Sequence, residues 1–249
     1  MPDGCVDAVV TDPPYGHRNN DDDLIAHREA ALGKGKVGSP RPIANDGPEA
    51  NDLVRAVFAE FGRLLKPGSC CCCCGGGGGP DPQFARWSLW LDGAVGFKQM
   101  IVWDKGGLGM GWHYRRCYET VLVGEKPGAK CKWYGGNSVP NVIRYGKIIP
   151  SAEQHPTEKP EELASHFILL HSEPGDLILD PFAGSGSTLA AAERLGRKWI
   201  GCELDPHWAA LAERRIARER EKLQLFPESA SPPAQPTQKS AAGQGELFG

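Results

Sequence analysis

The chain is expected to fold as an α/β three-layer sandwich, a sheet held between two layers of helices. Two observations carry that expectation. Short apolar runs alternate along the 249 residues with segments of helical periodicity. Two of those runs, ending at Asp12 and at Asp180, finish in an acid followed at once by proline, as strands do when they deliver a side chain to the edge of a sheet.

The elements follow in order. Val6-Asp-Ala-Val-Val10 is an apolar run of strand length, and Asp52–Leu65 has helical spacing. After Leu64-Leu65-Lys66-Pro67-Gly68 comes Cys70–Cys74, closed by Gly75–Gly79. Neighbouring strand residues point to opposite faces, so five consecutive cysteines cannot converge on one metal ion. They read instead as a buried strand of small apolar residues, and no metal site is expected. Met100–Trp103 and Thr120–Val123 read as two strands of an antiparallel hairpin at one edge of the sheet. The segment Gly106-Gly-Leu-Gly-Met-Gly111 between them is a glycine-broken loop. A helix over Glu161–His171 leads into the strand Leu177–Asp180. The helix Ser187–Leu195 is terminated by Gly196. A strand over Trp199–Glu203 and a helix over Trp208–Leu223 complete the domain, residues 1–223. From Gln224 to Gly249, Pro, Ser, Ala, Gln and Gly dominate, the composition of a disordered tail.

Asp12-Pro13-Pro14-Tyr15 suits the activation of an amino group on an aromatic ring. Such a nitrogen is a poor nucleophile because its lone pair is delocalised, so hydrogen-bond acceptors must be aimed at its N–H groups. Asp12 supplies a carboxylate, the Pro13 carbonyl can supply a second acceptor, and the two prolines stiffen the turn. Tyr15 offers a flat face for a base. A surface turn would use the same residues. A second motif decides between the two.

Asp180-Pro-Phe182-Ala-Gly184-Ser-Gly186-Ser-Thr188 reads as a strand end, a glycine turn and a helix start. An acid, Glu203, ends the next strand 23 residues after Asp180. Gly184 and Gly186 allow close approach of a ligand, and Glu203 is placed to accept hydrogen bonds from ribose hydroxyls. Leu189 stands where a dinucleotide fingerprint has its third glycine, which argues against a pyrophosphate. No lysine follows the glycines, excluding a P-loop. Ala183 stands in place of the first glycine of a Gly-x-Ser-x-Gly elbow, excluding a hydrolase nucleophile at Ser185. A nucleoside cofactor without a pyrophosphate remains.

Three segments together resemble one family: Thr11-Asp-Pro-Pro-Tyr-Gly16, His155-Pro-Thr157-Glu-Lys159-Pro160 and Asp180–Thr188. The chain is similar to S-adenosylmethionine-dependent DNA amino-methyltransferases, N6-adenine or N4-cytosine, of the group whose catalytic motif precedes its cofactor motif. The resemblance implies a Rossmann-like methyltransferase sheet. It implies that Asp12, Pro13, Pro14 and Tyr15 are catalytic, and that Asp180, Phe182, Gly184, Gly186 and Thr188 hold the cofactor. It further implies that Glu203 binds the ribose and that Thr157 and Lys159 close the pocket. An Asp at the head of the first motif leans towards adenine N6 in this family; cytosine N4 is the alternative. Family members also carry an earlier strand ending in an acid that touches the cofactor adenine. Ahead of Pro2 there is no room for it, so either the start lies upstream or the sheet lacks one edge strand. That departure leaves a rival reading, a catalytically impaired protein that only binds DNA or a clamp.

The net charge of −3 conceals an uneven distribution. Between Lys98 and Lys147, nine bases face only Asp104, Glu119 and Glu125, among seven aromatic residues. That mixture suits a surface that follows a DNA backbone and stacks on bases. Residues 104–150 and 17–50 are therefore the candidate contacts with double-stranded DNA. Gln244-Gly-Glu-Leu247-Phe248 resembles the peptide by which bacterial replication proteins dock on the sliding clamp. No apolar run reaches about 18 residues and no secretory h-region opens the chain, so no membrane partner and a cytoplasmic location are expected.

Overall fold

Among the described residues, β1 (Val6–Thr11) is an interior strand, the fifth in a seven-stranded sheet whose order is β5-β3-β4-β2-β1-β6-β7. The computed structural model describes residues 1–16, 47, 49–76, 83–108, 113–146 and 159–225. Within them the chain continues through α1 (Ala50–Leu64), β2 (Leu65–Gly76), α2 (Gln83–Ala94), β3 (Phe97–Asp104), β4 (Tyr118–Glu125) and β5 (Val142–Arg144). It ends with α3 (Glu161–His171), β6 (Leu177–Asp180), α4 (Ser187–Arg194), β7 (Lys198–Gly201) and α5 (Pro206–Leu225). β1 pairs in parallel with β2 on one side and β6 on the other. Among the described strands, β4 alone runs against the rest, antiparallel to both β2 and β3.

The three layers follow from the alternation of side chains along the strands. Cys71 and Cys73 join Val6, Val9 and Leu179 beneath α1 and α2, packing on Phe58, Phe61, Trp87 and Leu91. Cys72 and Cys74 join Ala8, Val10 and Ile178 on the opposite face, against Leu163, Phe167, Ala191 and Leu195 of the α3–α4 layer. All five cysteines of the run are buried, as expected of small apolar strand residues, and no group of three or more metal-ligating side chains forms among the described residues.

The structure refines several sequence expectations. The β3–β4 hairpin is present, but β5 pairs outside β3 through Val102–Val142 to Asp104–Arg144 and takes the edge. Three residues are too few to show a period. Helix α2 has no counterpart in the sequence reading; it follows the glycine run, with Trp87 and Leu91 as its buried face. Its C-terminal end comes so close to α1 that a Cβ on Gly62 would stand 2.4 Å from the Ala94 carbonyl oxygen. β7 ends at Gly201, two residues before Glu203, and α5 runs to Leu225, just past the expected domain boundary at 223. Residues 17–46, Thr157 with most of its motif, and the tail from 226 with Gln244–Phe248 lie outside the described residues. No described helix is long and apolar enough to cross a membrane.

Burial also pushes the Cys72, Cys73 and Cys74 thiols well above their ordinary pKa. In a native-state alkylation time course read by mass spectrometry, the exposed Cys117 and Cys202 should react first, and Cys71–Cys74 only on unfolding.

Candidate active site

Because β1 and β6 are adjacent and parallel, the acids that follow or end them emerge at the same edge of the sheet. Ala8 pairs with Ile178 and Val9 with Leu179, so Asp180 ends β6 level with Val10 and Asp12 emerges two residues further along the same edge. The Thr11 hydroxyl donates to Asp180 Oδ1 at 2.6 Å and joins the two strand ends directly. Between them opens a cavity of about 400 Å³. Asp12, Pro13, Pro14, Tyr15 and Lys159 line one part, and Asp180, Phe182, Gly184, Thr188 and Glu203 line another. Residues far apart in sequence thus share one chamber.

In the second part the backbone is shaped by two glycines. Gly184 has φ +51° and Gly186 φ +80°, the left-handed region that a side chain adopts only with strain. A Cβ on Gly186 would stand 2.7 Å from the Ala212 Cβ on α5, whereas the space off Gly184 is open. Gly186 thus serves packing, and Gly184 leaves room beside the cavity. The Gly184 N–H donates to Glu203 Oε2 at 2.8 Å, and the Asp205 N–H to Glu203 Oε1 at 2.9 Å. The Glu203 carboxylate is therefore fixed from both sides. Asp180 is buried and accepts from Thr11, from the Phe182 N–H at 3.1 Å and from the Thr188 hydroxyl. Desolvation outweighs those bonds and lifts its pKa to about 6, helped by the nearby charge of Asp12.

In the first part, Asp12 accepts from the Tyr15 hydroxyl at 2.6 Å and pairs with Lys159 Nζ at 2.8 Å. Lys159 Nζ also donates to the Tyr15 oxygen at 3.2 Å and lies 5.0 Å from the Tyr15 ring centre. Burial holds the Tyr15 hydroxyl protonated, reinforced by the charges of Asp12 and Glu119, so it remains a donor. The turn is supported from α2: Gln83 Nε2 donates to the Tyr15 carbonyl at 2.6 Å, and the Trp87 ring lies 5.9 Å from that of Tyr15. The family resemblance groups Lys159 with the cofactor residues; its ammonium group sits against the Asp12 turn.

The sequence alone assigns no place in the site to Thr11, Gln83, Trp87, Lys105 or Glu119. Glu119 Oε2 lies 3.2 Å from Lys159 Nζ and Oε1 accepts from Lys105 Nζ at 2.9 Å. One signal was available for Glu119: it is one of only three acids in the basic stretch from 98 to 147.

Comparison with known proteins gives the family and the fold. The N6_N4_Mtase family model, described as DNA methylase, matches residues 6–214. DNA adenine methyltransferase YhdJ of Escherichia coli K12 is 29% identical over 87% of this chain and 78% of its own length. Type II methyltransferase M.HhaII of Haemophilus parahaemolyticus is 28% identical, covering 82% and 85% respectively. The Thermus thermophilus protein TTHA0409, solved in complex with S-adenosyl-L-methionine, superposes with a TM-score of 0.61 at 28% identity, over 88% of each chain.

Asp180 offers a test that needs no ligand. Its folded pKa of about 6 lies above the ordinary 3.8, so folding favours its protonated form. Its contribution to stability is full below about pH 4 and is lost as the pH rises through about 6. Asp180→Asn, which resembles the protonated acid, should raise the melting temperature of the free protein at pH 7. The gain should vanish by about pH 4 in a thermal-denaturation series.

Proposed function

This chain belongs to the N6/N4 DNA methylase family and is a DNA methyltransferase, and we propose that it methylates the exocyclic N6 of adenine in double-stranded DNA with S-adenosylmethionine as donor. The observation that carries this reading is the shared cavity, with an amine-activating carboxylate, Asp12, in one part and a cofactor turn in the other.

The described residues fit the cofactor. A carboxylate fixed by two backbone N–H groups, Glu203, suits ribose hydroxyls, and the open space off Gly184 admits a ligand against the backbone. Asp180, Phe182, Gly184, Thr188 and Glu203 would hold it, with Gly186 shaping the turn against α5; Thr157 is assigned there by its motif alone. When bound, S-adenosylmethionine supplies a methyl group activated by a sulfonium charge. The protein's own part is positioning and polarisation. A base inside a duplex cannot present its amine to a buried carboxylate, so the target nucleotide must leave the stack. Tyr15 is then the face it meets. The Asp12 carboxylate and the Pro13 carbonyl accept from the two amine N–H groups, so that the lone pair localises towards the methyl carbon.

The DNA surface is assigned to the rim of this cavity. β4 is reversed, so its first residues stand at the carboxyl edge of the parallel strands, where Val121 pairs with Cys74. The stretch leading into it carries Tyr114, 90% exposed, and the exposed Arg115. Residues 104–150, with 17–50 after the catalytic turn, are the proposed contacts. The methylase sequence supports a cytoplasmic enzyme.

The test is to incubate the purified chain with S-adenosylmethionine and unmethylated bacterial DNA, then analyse the nucleosides by mass spectrometry. N6-methyladenine is expected. Asp12→Ala should lose at least about a hundredfold in kcat while binding the cofactor within about threefold of wild type, and Asp180→Asn should lose cofactor binding itself. N4-methylcytosine would move the target and keep the mechanism. DNA binding with neither product would favour the impaired binding protein.

We propose also that the tail docks on a bacterial sliding clamp through Gln244–Phe248, which would raise the enzyme's local concentration at newly made DNA. A tail peptide should retain purified clamp in a pull-down, and a Leu247→Ala/Phe248→Ala peptide should not. Equal retention by both ends the idea.

A further inference from the structure

We propose that Glu119 is a positioning residue for methyl transfer, which shares Lys159 with Asp12 and keeps the cluster around the target amine electrically neutral. The inference rests on the amine-methyltransferase reading and goes beyond it, because the residue lies in none of the three motifs.

The geometry is a chain of alternating charges. Asp12 pairs with Lys159 at 2.8 Å, Lys159 with Glu119 at 3.2 Å, and Glu119 with Lys105 at 2.9 Å. The side chains of Lys105, Lys159 and Glu119 are 9%, 12% and 17% exposed, so water screens them poorly. Two carboxylates and two ammonium groups leave no net charge. Remove Glu119, and the cluster holds two ammonium groups against the single carboxylate of Asp12, with Lys105 left without its partner.

That surplus matters because of where charge goes in the reaction. The amine nitrogen uses its lone pair to form a bond to the methyl carbon as the carbon–sulfur bond breaks, and the departing pair stays on sulfur. Positive charge thus passes from sulfur to nitrogen. The nitrogen becomes neutral again when one N–H proton leaves to the Asp12 carboxylate and on to water. A surplus cation beside that nitrogen opposes the charge developing on it. Lys159 drawn wholly onto Asp12 would also compete with the amine for the same oxygens. With Glu119 present the ammonium is held between two carboxylates, and Asp12 keeps lone pairs for the substrate.

The titration behaviour agrees. Burial would favour neutral forms, yet the charges of Lys159 and Lys105 hold Glu119 down at about 2, and those of Asp12 and Glu119 hold Lys159 well above its ordinary value. The groups that face Lys159 are Asp12 and Tyr15 after β1, Cys74 on β2 and Glu119 on β4, with Lys105 beyond β3 and Asp180 at the end of β6 one step further out.

Glu119→Gln should lower kcat about tenfold to a hundredfold with cofactor affinity within about threefold of wild type. Its deficit relative to wild type should shrink from about pH 7 to 10, as a lysine in the unbalanced cluster loses its proton. In the protein without cofactor, the ε-carbon resonance of 13C-labelled Lys159 should titrate at lower pH in Glu119→Gln than in wild type. Glu119→Asp, which keeps the charge, should retain more activity than Glu119→Gln. The deciding variant is Glu119→Gln/Lys105→Met, which restores neutrality and should recover activity to within about tenfold of wild type. A double variant below that mark, or a Glu119→Gln enzyme as fast as wild type, overturns the inference. If the wild type itself transfers no methyl group in this assay, the failure belongs to the proposed function instead; the lysine titration still reads the charge network.

Discussion

The pairing of β1 with β6 is the constraint on which the rest of the molecule depends. The two strands are separated by most of the chain, yet they lie side by side in register and end at the same sheet edge. The Thr11–Asp180 hydrogen bond spans 169 residues and closes that edge. At the other end of the same pair, Asp7 performs the complementary task. It is buried, accepts from the Leu177 N–H at 3.0 Å, and pairs with Lys66 and Lys132 at 2.7 and 2.8 Å. Despite its burial, hydrogen bonds from the two lysines hold its carboxyl below the ordinary range. A one-residue slip of β1 would turn Val9 to the wrong face, pull Asp7 from its lysines and draw Asp12 away from the cavity. Register and site geometry are therefore one constraint.

A site assembled at the end of a sheet brings charges into poorly hydrated surroundings, and the structure offsets them in pairs. Breaking one member of a buried pair leaves its partner unpaired, which costs far more than the pair contributes. Asp180 has no such partner among the described residues. Its bonds come from neutral donors, Thr11, the Phe182 N–H and Thr188, so burial prevails and its proton is held more tightly. Above about pH 6 this buried carboxylate is therefore an unfavourable charge in the free protein.

What the sequence made legible follows from how local the physics is. Asp12–Tyr15 and Asp180–Thr188 are contiguous, each follows an apolar run, and each carries glycines or prolines whose backbone demands are local. They were readable without a structure. Glu119 was not, because its meaning lies in Lys105 and in Lys159, forty residues further along. Gln83 and Trp87 support Tyr15 from a helix that begins after a run of glycines, where no period is yet established. β5 is a three-residue strand that exists because Val102–Asp104 offers it an edge. The direction of Lys159 was equally hidden: its motif announced a pocket residue, and only the packing of α3 on β1 decided which part of the pocket it meets.

That packing explains why a lysine can stand there at all. Leu163, Ala164 and Phe167 of α3 share a core with Ala8 and Val10 of β1, so the helix starts at the carboxyl edge of the sheet and points its N-terminus towards Asp12. The free N–H groups of a helix start carry partial positive charge, which disfavours a cation nearby. Glu161 and Glu162 lie in that first turn, but Glu161 is engaged by Arg194 at 2.6 Å on the far side. A lysine two residues before the helix, buried beside its N-terminus, needs its own counter-charges, and Asp12 and Glu119 supply them together. Asp12 comes from the end of β1 and Glu119 from the start of the reversed β4, two places that meet only because β2 lies between those strands. The reversal of β4 turns its first residues towards the reactive edge, so the one antiparallel strand among those described is the one that brings the second acid to Lys159.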